Sequence, residues 1–131
     1  MAFTQPIDVR FADLDALGHV NHATFLTYLE HARGKWWRPR LGARTFQDEG
    51  FVMARVEVDY RHPILLGDQV RVEMRCDHIG TSSFTLVCQV IRDQDGMVMA
   101  DARTVQVMMD FSTMRPRPLG PETRAWLETQ R

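Results

Sequence analysis

From residue 55 onward the chain alternates apolar and polar residues with a period of two, segment after segment. In RVEVDYR (55–61), Val56, Val58 and Tyr60 alternate with Arg55, Glu57, Asp59 and Arg61. In VRVEMRCD (70–77), Val70, Val72, Met74 and Cys76 alternate with Arg71, Glu73, Arg75 and Asp77. SSFTLVCQVIRD (82–93) puts Phe84, Leu86, Cys88 and Val90 on one face, and MVMADARTVQVMMDF (97–111) reads as a long last strand. Side chains of a strand point alternately to its two faces, so each segment predicts a strand with one face in the core and one in water. Pro63 and Gly67 bend the chain between the first two strands, and DQDG (93–96) is a hairpin turn. A sheet of this kind must bury its apolar face against something.

One stretch can supply the cover. Phe25, Leu29, Ala32 and Trp36 fall at i, i+4, i+7 and i+11, one face of a helix, flanked by Leu26 and Tyr28. Asn21 is the expected N-cap, and Pro39 and Gly42 are expected to end the segment. Trp36 and Trp37 are adjacent and face different ways, so one is expected on the sheet and the other over an interface. IDVRF (7–11) alternates as a first strand, RPRPLG breaks the last one, and PETRAWLETQR suggests a short helix with Pro121 in its first turn. The expected architecture is α+β: an antiparallel sheet of about five strands wrapped around one long central helix. At 131 residues, 44% hydrophobic, the chain is expected to form one domain, residues 1–131.

The chemistry is concentrated where the first strand gives way to the helix. DLDALGHVNHATF (13–25) packs Asp13, Asp15, Gly18, His19, Asn21 and His22 into ten residues. A helix start carries N–H groups without intrahelical partners and the positive end of the macrodipole. It can hold the developing oxyanion of an attacked carbonyl if the substrate comes close, and Gly18 gives that access. A carboxylate there, Asp15 or Asp13, stays ionised as a nucleophile or general base requires. His22, in the first turn, can orient a carbonyl or a water. The same residues also make sense as a helix cap with surface histidines. A metal set from Asp13, Asp15, His19 and His22 matches no ligand spacing, and no metal is expected. No GxSxG elbow is present, and Cys76 and Cys88 sit in strand patterns as small buried residues, without a disulfide.

RFADLDALGHVNHATFLTYLEHAR (10–33) resembles the active-site signature of the 4-hydroxybenzoyl-CoA thioesterase branch of the hotdog-fold superfamily. VDYRHPILLGDQVRVEMR (58–75) resembles that family's second stretch, and GTSSFTLVCQVIRDQDGMVMADART (80–104) the hairpin that follows. The resemblance implies a hotdog fold and hydrolysis of an acyl-CoA thioester to a carboxylic acid and CoA-SH, with no cofactor beyond the CoA of the substrate. It implies that Asp15, the second aspartate of D-x-D, is the catalytic carboxylate, and that Asp13 is structural. His22 stands where Tol-Pal-associated acyl-CoA thioesterases carry a functional histidine, and its backbone N–H would polarise the thioester carbonyl. GHVNH departs at His22 from the G-H-V-N-N form of long-chain acyl-CoA thioesterases. Thr81, Ser82 and Ser83 would meet CoA from a neighbouring subunit, and Phe25 and Tyr28 would border the acyl pocket. A homodimer or homotetramer with sites at the subunit boundary is implied. An acyl-carrier-protein thioesterase, a non-catalytic acyl-CoA-binding module and a hotdog hydratase are the rival readings.

The formal net charge of -1 gives no electrostatic reason to expect nucleic acid. Lys35 is the only lysine, so positive charge is nearly all arginine. The N-terminus lacks a basic region followed by a long apolar run, and no later stretch approaches transmembrane length, so a cytoplasmic protein with no membrane partner is expected.

Overall fold

A computed structural model describes residues 2–131. Strand β1 (Phe3–Asp8) leads through a short 3-10 turn (Phe11–Asp13) to helix α1 (His22–Leu41). Strands β2 (Phe51–Tyr60), β3 (Gln69–Ile79), β4 (Ser83–Arg92) and β5 (Val98–Asp110) follow, then the two-residue β6 (Arg115–Pro116) and helix α2 (Pro121–Glu128). The strands form one antiparallel sheet in the order β1-β3-β4-β5-β2, with β6 beside β5. The α+β expectation is met.

The core lies where the alternation put it on β3 and β4. Val70, Val72, Met74, Cys76, Phe84, Leu86, Cys88 and Val90 are buried together with Phe25, Leu29, Ala32 and Trp36 of α1. The Asn21 side chain accepts from the Ala23 N–H at 2.9 Å, closing the helix start as an N-cap does. Both cysteines are free, and burial pushes the Cys76 and Cys88 thiols up to about 11 and about 12. Neither is a thiolate nucleophile at neutral pH.

Four expectations need correction. The first strand is Phe3–Asp8, not residues 7–11, because pairing with β3 (Phe3↔Met74 to Asp8↔Gln69) sets its span. Pro6 is tolerated within it because β1 lies at the sheet edge, where a missing N–H need cost no ladder bond. Pro39 does not end α1 but lies inside its last turn, and Gly42, at φ 59°, is the stop. Trp36 and Trp37 are both buried, so neither covers an interface. Trp37 stacks on Phe84 with centroids 5.6 Å apart, and Trp36 meets Trp126 of α2 at 4.7 Å. Finally, Val56 and Tyr60 of β2 stay exposed, because β2 is the other edge and α1 does not cover it along its length.

The far end of α1 is clamped. Arg40 lies over the rings of Trp37 and Trp126 at 5.0 and 5.3 Å. It pairs with buried Glu49 at 3.1 Å, as Arg44 does at 2.6 Å. Burial works to raise the Glu49 carboxyl, but its bonds from Arg40 and Thr123 outweigh that and leave it lowered. Loop 42–50 and α2 are thereby tied to one end of α1, and the site occupies the other.

Candidate active site

Residues 10–22 fold back on themselves before the helix begins. Leu14 bridges Val20, the Asp15 N–H donates to the His19 carbonyl at 2.7 Å, and the Gly18 N–H donates to the Asp15 carbonyl at 3.0 Å. Gly18 closes this tight loop at φ 77°, a left-handed conformation that favours glycine. The loop is held from outside as well. The Asn21 N–H donates to the Asp13 carbonyl at 2.8 Å, and the Val20 N–H to the Ile64 carbonyl at 2.8 Å.

Asp13 is the anchor. Its side chain is buried and accepts from the Arg10 N–H at 3.0 Å, from the Arg10 guanidinium at 2.9 Å and from the Tyr28 hydroxyl at 2.7 Å. Burial acts to raise its carboxyl, but the bonds from Arg10 and Tyr28 prevail and hold it below the ordinary carboxylate value. Burial and then the Asp13 charge raise the Tyr28 phenol, which stays protonated. The Tyr28 hydroxyl thus joins the loop to the second turn of α1, and its ring lies 6.4 Å from that of Phe25. Both aromatic residues are buried.

Asp15, two residues on, is exposed. One oxygen accepts from the Leu17 and His19 N–H groups at 2.9 and 3.3 Å, which fixes the carboxylate without burying it. Among the described residues its other oxygen accepts nothing. At the helix start, the Gly18 and Asn21 amides are already donating within the loop. The His22 N–H, first in α1, has no acceptor among the described residues and carries the helix's positive end. The His22 side chain is exposed. A fixed carboxylate with a spare oxygen and an open amide on one loop-to-helix corner can attack, or direct water at, a carbonyl whose oxygen sits on that amide.

Tyr60, which sequence reading assigned only to a strand face, packs against this corner. Its hydroxyl donates to the His22 carbonyl at 2.8 Å, and its ring packs edge-on to Phe25 at 5.1 Å and to His22 at 6.3 Å. Burial raises its phenol. Its position at the last residue of an alternating run, next to the Pro63 bend, was the available signal.

Thr81, Ser82 and Ser83 are not brought to this corner. Ser83 pairs with Val107, whereas Val90, seven residues further along β4, pairs with Ala100, the partner of Tyr60. At 3.3 Å per residue the turn is roughly 23 Å from the Tyr60 end within one chain. Its backbone is engaged, Thr81 accepting from the Leu119 N–H at 2.9 Å and Ser82 from the Met108 N–H at 2.8 Å. The four donors Asp13, Asp15, His19 and His22 do not gather: among the described residues, no three His, Cys, Asp or Glu side chains converge as a metal set would.

The chain as a whole is similar to known proteins. The chain is 31% identical to the long-chain acyl-CoA thioesterase FadM of Escherichia coli (strain K12), over 93% of this chain and 94% of that protein. A Thermus thermophilus thioesterase, solved in complex with coenzyme A and Zn, is 41% identical with a TM-score of 0.85, covering 97% of this chain and 92% of that one. A predicted thioesterase from Bacillus stearothermophilus superposes with a TM-score of 0.91 at 29% identity, covering 99% and 96%. The fold is the hotdog fold of these enzymes. Residues 9–127 match the family model of the thioesterase-like superfamily, and to that superfamily the chain belongs.

Proposed function

We infer that this protein is an acyl-CoA thioesterase, one domain that hydrolyses a thioester to a carboxylic acid and CoA-SH. The observation that carries the reading is the pairing of Asp15, exposed but held by two N–H groups, with the open His22 amide at the start of α1. The thioester oxygen docks on the His22 N–H, where the helix end stabilises the charge that develops. Asp15 either takes a proton from an attacking water, the carbon–sulfur bond breaking to give the acid and a thiolate that receives that proton, or attacks the acyl carbon itself. In the second case the carbon–sulfur bond breaks to leave an acyl–aspartyl anhydride and a thiolate that is protonated by water, and a second water hydrolyses the anhydride to the carboxylic acid and free Asp15. The exposed His22 ring stands where it orients the carbonyl or the water. Relatives named as acting on acyl-CoA support this substrate class, and the D-x-D loop supports the 4-hydroxybenzoyl-CoA branch in particular.

The site is open on one side, which supports a homodimer or a pair of them. Phe11 and Leu17 of the loop are 79% exposed, and Val52, Val56 and Tyr60 of edge strand β2 are exposed too. An uncovered edge with apolar side chains is a template for a second copy. The hydroxyls of Thr81, Ser82 and Ser83, too distant to serve their own chain's Asp15, would then contact CoA held by the partner.

The test is release of free thiol from acyl-CoAs of short, long and aromatic acyl groups, with acyl carrier protein thioesters for comparison. Hydrolysis of acyl-CoA by the unsubstituted chain and its loss in Asp15→Ala are expected. Unchanged hydrolysis by Asp15→Ala would refute the mechanism. Tight binding without thiol release would make the protein a binding module. Single turnover in labelled water separates the two roles of Asp15, since label appearing first in the Asp15 carboxylate marks direct attack, whereas label only in the product acid marks attack by water.

A further inference from the structure

Arg33, midway along α1, retains 9% of its surface exposed, and among the described residues it makes no hydrogen bond and no ion pair. Burial, the largest influence, pulls its guanidinium pKa down, opposed through space by Cys88 and by Glu30 one turn away. Its stem is buried while its guanidinium nitrogens still reach solvent, so the charge is open to a ligand. Arg33 therefore has room for an anion that the chain itself does not supply.

Arg33 lines a groove of 570 Å³ with Glu30, Lys35, Arg38, Phe46 and Phe51. Three of these side chains are cationic and one is anionic, so the groove favours a negative ligand. Its position relates it to the reaction. Arg33 follows His22 by eleven residues, which at 100° each returns it to about the same side of α1, roughly 16 Å along the axis. Facing it is β2, where a bulge between Met53 and Arg55 keeps Phe51 on the same face as Val56, Val58 and Tyr60. Tyr60 touches His22 at one end of that face and Phe51 touches Trp37 at the other, 5.0 Å between ring centroids. Between the two ends, Leu26 and Val56 are exposed and leave apolar surface between the reactive corner and the groove at Arg33.

We propose that this apolar surface holds the acyl chain and that Arg33 receives a carboxylate at its far end, making ω-carboxyacyl-CoA thioesters, with chains on the order of ten carbons, a preferred substrate class. The proposal rests on the thioesterase reading above. The groove's own geometry favours it: the cation lies on the side of α1 that carries His22, at the distance of a medium-length chain. The competing source of a carboxylate is Glu30 of a second copy.

The experiment compares kcat/KM for matched CoA thioesters of equal chain length, one ending in methyl and one in carboxylate, on the full chain. The unsubstituted protein should favour the carboxylate by roughly ten- to a hundred-fold, the range of a hydrogen bond to a charged group. Arg33→Gln should bring that ratio near one, and Arg33→Lys should retain part of it. A ratio near one in the unsubstituted protein overturns the proposal without reference to any variant, and so does a ratio that Arg33→Gln leaves intact. If the ratio is near one and Arg33→Gln breaks an assembly into smaller ones by light scattering, the carboxylate belongs to Glu30 of a second copy. Hydrolysis of neither thioester would instead sink the thioesterase reading itself.

Discussion

Asp13 and Asp15 are the same residue type, two positions apart on one loop, and the fold gives them opposite tasks. Asp13 is 2% exposed and its oxygens are taken by the Arg10 backbone, the Arg10 guanidinium and the Tyr28 hydroxyl. Asp15 is exposed, accepts two backbone N–H groups on one oxygen and keeps the other free among the described residues. A carboxylate whose capacity is filled holds a structure together. One whose position is fixed while capacity remains is available for chemistry. The anchored residue is what allows the exposed one to be well placed, because Asp13 ties the loop to both sides of the helix start.

The sharpest way to break this contrast is to remove each carboxylate in turn. Asp15→Asn should lower kcat by roughly 10²–10⁴-fold, the usual worth of a positioned acid–base group, with an unfolding midpoint close to that of the unsubstituted protein. If the midpoint drops and activity survives, the two roles have been assigned the wrong way round. Cutting the anchor without touching either carboxylate comes next. Tyr28→Phe removes a buried bond to a charged group and should cost about 1.5–3 kcal/mol of stability by denaturant titration, with a smaller loss of activity than Asp15→Asn. Gly18→Ala should cost about 1 kcal/mol from its left-handed backbone and slow turnover by shifting the Asp15 loop; no steric clash contributes, since a methyl there meets nothing within 4 Å. An unaltered kcat in that variant would mean that Asp15 does not depend on the loop's shape.

The smallest effect is in pH. The folded Asp13 carboxyl lies below its ordinary value of 3.8, so the unfolded chain binds more protons in acid. Its contribution to stability is complete above that ordinary value and is lost as pH falls through the lower folded one. Comparing unfolding midpoints from pH 6 to pH 2, Asp13→Asn should show a shallower acid decline than the unsubstituted chain. Parallel declines would show that Asp13 is not held in its ionised form by the fold.

Much of this molecule is legible in periodicity. The alternation of β3 and β4 and the i, i+4, i+7, i+11 stripe of α1 name the core correctly, because a residue's face in a regular element depends only on its place in the repeat. Asn21 as the helix cap and DQDG as a turn are equally local. The errors fall where a distant segment decides. Val56 and Tyr60 alternate as well as Val70 and Val72 do, yet β2 is an edge and they remain uncovered. IDVRF has a strand's pattern, but pairing with β3 moves the strand to Phe3–Asp8. The D-x-D loop was recognisable as the candidate site, while the place of Tyr60 beside it was not, since its bond to His22 joins residues 38 apart.

By itself, then, the amino-acid sequence determined the order of the main elements, the faces that α1, β3 and β4 bury, and the loop on which ionisable groups concentrate. Those are short-range properties of dihedral preference, capping and repeat. Tertiary structure alone decided which aspartate is sealed by a tyrosine 15 residues away and which remains in solvent. It also decided that, of the amides at the helix start, the one at His22 is left open, and that Arg33 lines a groove without an anion partner among the described residues. Burial and partner choice are properties of surroundings, and no window on the chain contains the surroundings.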